Sequence, residues 1–281
     1  MLSYRHAFHA GNHADVLKHL VLAESLVYLC AKDKPLWYID THAGAGRYTL
    51  GSHEGRGEAE YRGGIARIWD RSALPPALAR YRALVAQLNP GGKLRHYPGS
   101  PLLAGMLLRP SDRMWLHELH PSEVAPLERS VRELAAPARV IEEDGLAGLK
   151  ALLPPKPRRA LVMIDPSYER KEEYAAVLGA LADALTRFAS GVYLLWYPLL
   201  AQPESRRLPE RLIELGAERW LQVELHLREP AGPGSGLLGS GMHVINPPFT
   251  LAAELASCRE TLCETLALPT AATPRLDIRS G

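Results

Sequence analysis

Leu161-Val162-Met163-Ile164-Asp165-Pro166-Ser167-Tyr168 joins four apolar residues, two of them β-branched, to an acid and a proline. That pattern predicts a short strand buried on both faces, as parallel strands are. Pro166 has no amide hydrogen with which to extend a ladder, so the strand stops there and aims the following side chains at the sheet's carboxyl edge. Ligands of open α/β sheets bind at that edge.

The same pattern recurs on either side. Leu36-Trp37-Tyr38-Ile39-Asp40 reads as a strand ending in an acid, followed by Thr41-His42-Ala43-Gly44-Ala45-Gly46-Arg47-Tyr48. Gly44 and Gly46 allow close backbone approach and positive φ, and the amides after them suit a carboxylate or phosphate. The third glycine of the dinucleotide fingerprint is absent. An acid directly before the turn points to the methionine end of S-adenosylmethionine more than to a pyrophosphate. A second strand, Met114 to His120, carries Glu118 at its end, suited to ribose hydroxyls. A third, Arg139-Val140-Ile141, leads to Asp144, placed to accept a hydrogen bond from a cofactor adenine.

In a compact dinucleotide fold the ribose acid lies about 20 residues beyond the glycines. Here the gap is far longer, and an insertion over about 50–99 fills it. Its helical stretch, Leu74 to Leu88, stands between Pro75-Pro76 and Pro90-Gly91-Gly92. The insertion reads equally as a packing elaboration or as a substrate contact. Ser100-Pro101 then reads as a helix cap and first helical residue. Past Asp165 come a strand at Val192–Tyr197 and a helix around Arg207–Leu215. A paired finish, Trp220–Leu227 with Met242–Ile245, is joined through Gly232-Pro233-Gly234-Ser235-Gly236, and a loose tail starts at Pro269.

The N-terminal segment leads into a helix from Ala14 to Leu29, with Val16, Leu17, Leu20 and Leu22 toward a core. His6, His9, His13 and His19 fit polar contacts to a ligand or RNA better than a metal, since no second ligand cluster accompanies them. The 281 residues, 47% hydrophobic and 23% charged, suit one α/β domain with an insertion. No apolar run approaches the roughly 18 residues of a membrane span, and the N-terminus lacks a signal core, so a cytoplasmic protein is expected. Cys30, Cys258 and Cys263 lack metal-ligand spacing. With a net charge of +2, RNA would have to meet a local basic patch, for which Arg5, Lys18 and Arg47 are the candidates. The basic loop Pro154–Arg159 fits a solvated connection or a phosphate contact.

Asp165-Pro166-Ser167-Tyr168 resembles the Asp/Asn-Pro-Pro-Tyr/Phe signature of methyltransferases that act on exocyclic amines of nucleobases. The N6 amine of adenine shares its lone pair with the ring. A carboxylate and a backbone carbonyl that accept its N–H bonds favour the pyramidal, nucleophilic nitrogen. Tyr168 would stack on a base turned out of its helix. Taken alone, the four residues also fit an ordinary strand-to-loop turn. Asn246-Pro247-Pro248-Phe249 matches the signature better. Strand order favours Asp165, because three cofactor strands precede it and only about 35 residues follow Asn246.

With these positions in view, the chain resembles the bacterial 23S ribosomal RNA adenine-N6 methyltransferase family RlmJ, from Met1 to about Pro248. The resemblance rests on the run from Met1-Leu2-Ser3-Tyr4-Arg5-His6 through Asp15-Val16-Leu17-Lys18-His19, and on Asp40 to Tyr48. Tyr97-Pro98-Gly99-Ser100-Pro101, Glu118-Leu119-His120-Pro121 and Leu195-Trp196-Tyr197-Pro198 complete it. It implies an α/β, class I (Rossmann-like) S-adenosylmethionine-dependent methyltransferase with an inserted helical subdomain. The methyltransferase domain would span 1–49 and 100–268, the insertion 50–99 and a flexible tail 269–281. S-adenosylmethionine would be the donor, and adenine 2030 of 23S ribosomal RNA the target. Cofactor contacts would be His19, His42, Ser100, Glu118, Asp144 and Gly145, joined by Asp165, with the donor lying over Gly44 and Gly46. Asp165, Pro166 and Tyr168 would be catalytic, and Tyr4 a substrate contact. No metal is expected, and a monomer is. The family's second motif proline is Ser167 here, which loosens the turn. The rival expectations are a DNA adenine-N6 methyltransferase and a non-catalytic RNA-binding factor that keeps the fold.

Overall fold

In a computed structural model, residues 6–51, 60–228, 236–267 and 274–281 are described. Ala160–Ile164 folds as a strand buried at every position, as its unbroken apolar run requires. It sits inside an eight-stranded sheet. In chain order the strands are β1 (Trp37–Asp40), β2 (Arg47–Thr49), β3 (His96–Pro98), β4 (Arg113–His117), β5 (Ala138–Ile141), β6 (Ala160–Ile164), β7 (Val192–Leu199), β8 (Trp220–His226), β9 (Gly239–Ile245) and β10 (Arg275–Ser280). The large sheet runs β10-β8-β9-β7-β6-β1-β4-β5. Its strands β5, β4, β1, β6 and β7 are parallel, and β9 runs against both β7 and β8. This is the doubly wound α/β sheet that the sequence led us to expect. The order reverses between β1 and β6, so the crevice outside their carboxyl ends is the binding position of the fold.

β2 and β3 form a separate ribbon in which Thr49 faces His96. The chain therefore leaves and returns at one point, which is what an insertion there needs. Between them lie α2 (Ile65–Trp69) and α3 (Pro76–Gln87). Ile65, Ile68, Leu78, Tyr81 and Val85 share one core with Val16, Leu17 and Leu20 of α1 (His13–Cys30). The inserted helices thus extend the main core. Trapped between them and the sheet, α1 is buried from Ala14 to Leu26 without a break, where the sequence predicted a single apolar face. Its charges are paired: Glu24 accepts from Arg80 of α3 at 2.5 Å.

Four further helices flank the site: α4 (Ser100–Gly105), α5 (Pro121–Val131), α6 (Gly145–Leu152) and α7 (Glu172–Arg187). With α8 (Pro203–Ile213), α7 covers the opposite face of the sheet through Val177, Leu181, Leu208 and Leu212. The chain's last helices are α9 (Leu251–Ser257) and α10 (Arg259–Leu266).

The tail expectation needs correcting. Arg275–Ser280 pairs antiparallel with β8, from Arg275 opposite His226 to Ser280 opposite Leu221. The cause is period-two alternation: Leu276 is buried at 3% exposure, while Arg275 and Arg279 face outward.

Candidate active site

Asp165 follows the last residue of β6 and lines a cavity of about 320 Å3 at the switch point. The same cavity takes in His19, His42, Gly44, Ser100, Glu118, Asp144, Gly145 and Pro166. Sequence-predicted residues from six segments of the chain therefore meet at one place.

Glu118 is held from two sides: Oε2 accepts from the Gly44 amide and Oε1 from the His120 amide, both at 2.7 Å. Burial raises its pKa, against the pull of those two amides. Gly44 has φ +61°, a backbone state that glycine adopts without strain. Asp144 caps α6 through Oδ1, which accepts from Leu146 N at 2.9 Å and Ala147 N at 3.3 Å. A Cβ on Gly145 would lie 2.2 Å from the Thr41 carbonyl oxygen, so a glycine is needed where α6 meets the end of β1.

His19 and His42 are neutral. Burial lowers His19 to about 3 and His42 to about 4. His19 Nδ1 lies 2.7 Å from the Tyr97 hydroxyl, itself 2.7 Å from the Tyr81 hydroxyl of the inserted α3. His42 Nδ1 is 2.7 Å from Thr41 Oγ1. Asp40 is fully buried beneath the cavity, where it accepts from Tyr38 Oη at 2.6 Å, Ser100 Oγ at 2.8 Å and the His42 amide at 3.2 Å. Burial raises Asp40 to about 6 although those donors oppose it. Asp40 therefore anchors the turn and does not itself line the cavity. Ser100 is likewise the first residue inside α4, with Gly99 at the cap position, and its hydroxyl serves Asp40.

Three further expectations fail on packing. Lys18 was expected to meet RNA phosphate, yet its side chain is 4% exposed and ion-paired inside the protein. Its Nζ is 2.8 Å from Asp15 Oδ1 and 2.5 Å from Asp165 Oδ2. Burial pulls its pKa down, but the Asp15 and Asp165 carboxylates outweigh burial and hold it above the ordinary value. Gly46 does not line the cavity. Its φ is +76°, and a Cβ there would lie 2.8 Å from Ser130 Cβ of α5, so this glycine serves helix packing. Tyr168, expected to stack on a flipped base, is 5% exposed. Its backbone takes φ +54° after the Pro166-Ser167 turn, and the ring packs 4.5 Å from Tyr174 with the hydroxyl on the Trp196 carbonyl at 3.1 Å.

Arg47 is exposed on β2 and does not line the cavity. Tyr4 and Arg5 lie outside the described residues. Ser167 Oγ reaches the Glu173 carboxylate at 3.4 Å, a tie that a proline at this position would lack.

The sequence reading missed Asp15. Its Oδ2 accepts from the Gly11 amide at 2.8 Å and lies 2.9 Å from His6 Nε2. Burial alone would raise Asp15, yet the charges of His6 and Lys18 leave it well below the usual carboxylate range. A signal existed: Asp15 and Lys18, opposite charges three apart, fall among the apolar residues of the helix's first two turns. Of the other histidines, His9 lies 2.9 Å from Glu60, and burial lowers His13 to about 4. Among the described residues no group of three or more His, Cys, Asp or Glu is arranged to hold a metal, and no helix is long and apolar enough to cross a membrane.

Asn246 lies at the opposite edge of the sheet. Because β9 is reversed, its last residue Ile245 pairs with Tyr193 near the amino end of β7. Asn246 Nδ2 donates to the Ala189 and Gly191 carbonyls at 2.7 Å each, closing the α7–β7 connection. The better sequence match is a packing turn.

A sequence model of the family described as "Ribosomal RNA large subunit methyltransferase D, RlmJ" matches residues 33–276. Ribosomal RNA large subunit methyltransferase J of Escherichia coli (strain K12) is 50% identical over 251 residues, covering 89% of each chain. The protein of that name in Haemophilus influenzae is 46% identical over 267 residues, 95% of this chain and 94% of that one. Among solved structures, protein LPL1258 of Legionella pneumophila superposes with a TM-score of 0.87 at 39% identity, covering 97% of this chain and 98% of that one.

Proposed function

The chain belongs to the RlmJ family of large-subunit ribosomal RNA methyltransferases, and from that premise we infer that it methylates the exocyclic N6 of adenine 2030 in 23S ribosomal RNA, with S-adenosylmethionine as donor. One observation carries the reading at the level of residues. Asp165, Glu118 and Asp144, each just beyond a parallel strand, line one cavity at the switch point of the sheet.

The cavity suits that donor. Glu118 has about four lone-pair sites, and the two amides occupy two of them, which leaves acceptors for a pair of ribose hydroxyls. Leu119 is 51% exposed and lines the cavity, offering an apolar surface to a purine. Asp144 uses one oxygen as a helix cap, and the other is assigned to the adenine amine. S-adenosylmethionine supplies an electrophilic methyl carried on a sulfonium when bound.

The protein's own groups prepare the nucleophile. Lys18 fixes Oδ2 of Asp165, so Oδ1 is the oxygen assigned to one N–H of the target amine. The Pro166 carbonyl takes the other. Acceptors set in advance favour the pyramidal nitrogen without reorganising during reaction. His19 and His42, neutral donors and acceptors, are assigned to the polar end of the donor. Tyr4, Arg5 and Arg47 remain the proposed contacts to RNA. Acting on ribosomal RNA, the enzyme is assigned to the cytoplasm.

The test is transfer of tritium from labelled S-adenosylmethionine to 23S ribosomal RNA and to duplex DNA, followed by mapping of the labelled nucleotide. Label on the exocyclic nitrogen of adenine 2030 is expected. Equal labelling of duplex DNA, or a methyl on another atom, refutes the assignment.

A further inference from the structure

On the same carboxyl edge, away from the cofactor crevice, a second cleft of about 670 Å3 opens between α8, β8 and β10. Five arginines line it, against three carboxylates. They come from four places in the chain: Arg206 from α8, Arg228 just past β8, Arg259 from α10, and Arg275 and Arg279 from β10. For a protein whose net charge is only +2, that is a pronounced local excess.

The carboxylates offset it only in part, five guanidiniums against three. Glu224 is engaged by the Tyr197 hydroxyl at 2.8 Å and by His226 at 3.2 Å. Asp277 is 2.9 Å from Arg275 Nε and 3.4 Å from His226. Two guanidiniums are fixed by neutral acceptors, so they are oriented without losing charge. Arg279 donates to Gln222 Oε1 at 2.8 Å, and Arg228 donates to the Leu237 carbonyl at 2.8 Å. Gln222 is itself 1% exposed, locked by donation to the Pro209 carbonyl of α8 at 2.8 Å. The cleft is therefore built on a buried polar support. Preset guanidiniums match the planar oxygen pairs of phosphate.

Position selects the ligand. Strands lie about 4.8 Å apart, so His226 on β8 is roughly three spacings, about 15 Å, from β6 and Asp165. The cofactor crevice occupies the β1–β4 side. A polynucleotide that delivers a base to Asp165 thus has the β7–β9–β8 side of the edge left to follow. We propose that the arginine cleft of β8, β10 and α8 is an anchor for the phosphodiester backbone of the RNA flanking the target adenine. The proposal rests on the ribosomal RNA methyltransferase reading above and adds to it the place where the flanking strand is held.

The test uses the full chain as a triple variant, Arg206→Ala, Arg228→Ala and Arg279→Ala, beside a charge-keeping triple with lysine at each position. Binding to a 23S ribosomal RNA fragment is measured against salt concentration. Each phosphate contact contributes about 0.7–0.9 to the slope of log affinity against log salt, so the alanine variant should lose about two units or more. KM for the fragment should rise at least about tenfold, while titration calorimetry gives native affinity for S-adenosylmethionine. The lysine variant should keep the native slope. A native slope in the alanine variant, or a slope lost equally in the lysine variant, overturns the anchor. A wild-type protein that neither binds nor methylates ribosomal RNA would instead overturn the underlying reading, and the anchor with it.

Discussion

Replacing Asp165 by Asn should separate catalysis from stability, and the buried charges around it say by how much. Asp15, Lys18 and Asp165 form one chain of contacts, with Lys18 between two carboxylates. Asp165→Asn leaves Lys18 paired with Asp15, a balanced couple, so the stability change should stay within about 1 kcal/mol, the net worth of one hydrogen bond. The new amide meets Lys18 Nζ on one side and the substrate amine on the other. Lys18 has only donors, so the amide oxygen turns toward it and the amide nitrogen toward the target N–H. A donor then faces a donor. Methyl transfer should fall at least about a hundredfold, or about 2.7 kcal/mol of barrier. Lys18→Met does the reverse, taking the cation from buried Asp15 and half-buried Asp165 and lowering stability by about 3 kcal/mol. The double variant should recover part of that loss. Urea unfolding and single-turnover tritium transfer on 23S ribosomal RNA measure both quantities. An Asp165→Asn enzyme within tenfold of wild type would refute the catalytic assignment, and a fully stable Lys18→Met protein would refute the charge accounting.

Three other outcomes are expected. Glu118→Gln should weaken S-adenosylmethionine binding by about 1.5–3 kcal/mol, the worth of hydrogen bonds to a charged group, and unchanged affinity in calorimetry would remove the ribose contact. Asn246→Ala loses two hydrogen bonds to backbone carbonyls. It should cost about 1–3 kcal/mol of stability and leave transfer within an order of magnitude, whereas a stable but inactive variant would return the catalytic role to that turn. Asp40, raised to about 6 when folded, binds its proton more tightly in the native state than at about 3.9 unfolded. Its stabilising contribution is complete below about pH 4 and is lost as pH rises through 6, about 3 kcal/mol in all. His19 and His42 act with the opposite sign, lending stability above about pH 6.5 that is lost as pH falls toward their depressed values. Comparing wild type with Asp40→Asn by urea unfolding from pH 4 to 7 isolates the first effect, and a gap that does not change with pH would refute it.

Much of this molecule was legible along the chain because strands and their ends are local patterns. The apolar run 160–164, the proline that stops it, and Glu118 and Asp144 beyond their strands needed only periodicity and the chemistry of turns. Strand order then placed Asp165 at the switch-point cavity and Asn246 elsewhere, and the reversal of β9 gives the reason: it carries Asn246 to the far edge. What the chain order could not reveal was which side chains become partners. Lys18 and Asp165 are 147 residues apart, and only the burial of α1 between sheet and insertion turns a surface-type cation into an internal counter-ion. Gly44 and Gly46 look alike in sequence, but one ties its amide to Glu118 and the other makes room for Ser130. Tyr168 reads as a stacking ring until its left-handed backbone folds it beneath the turn. The alternation in β10 was present in the sequence, yet six residues acquire a ladder only when β8 offers an open edge. Local sequence sets backbone geometry through short-range sterics and hydrogen bonding, whereas the charge, burial and partner of each side chain are set by packing between segments far apart in the chain.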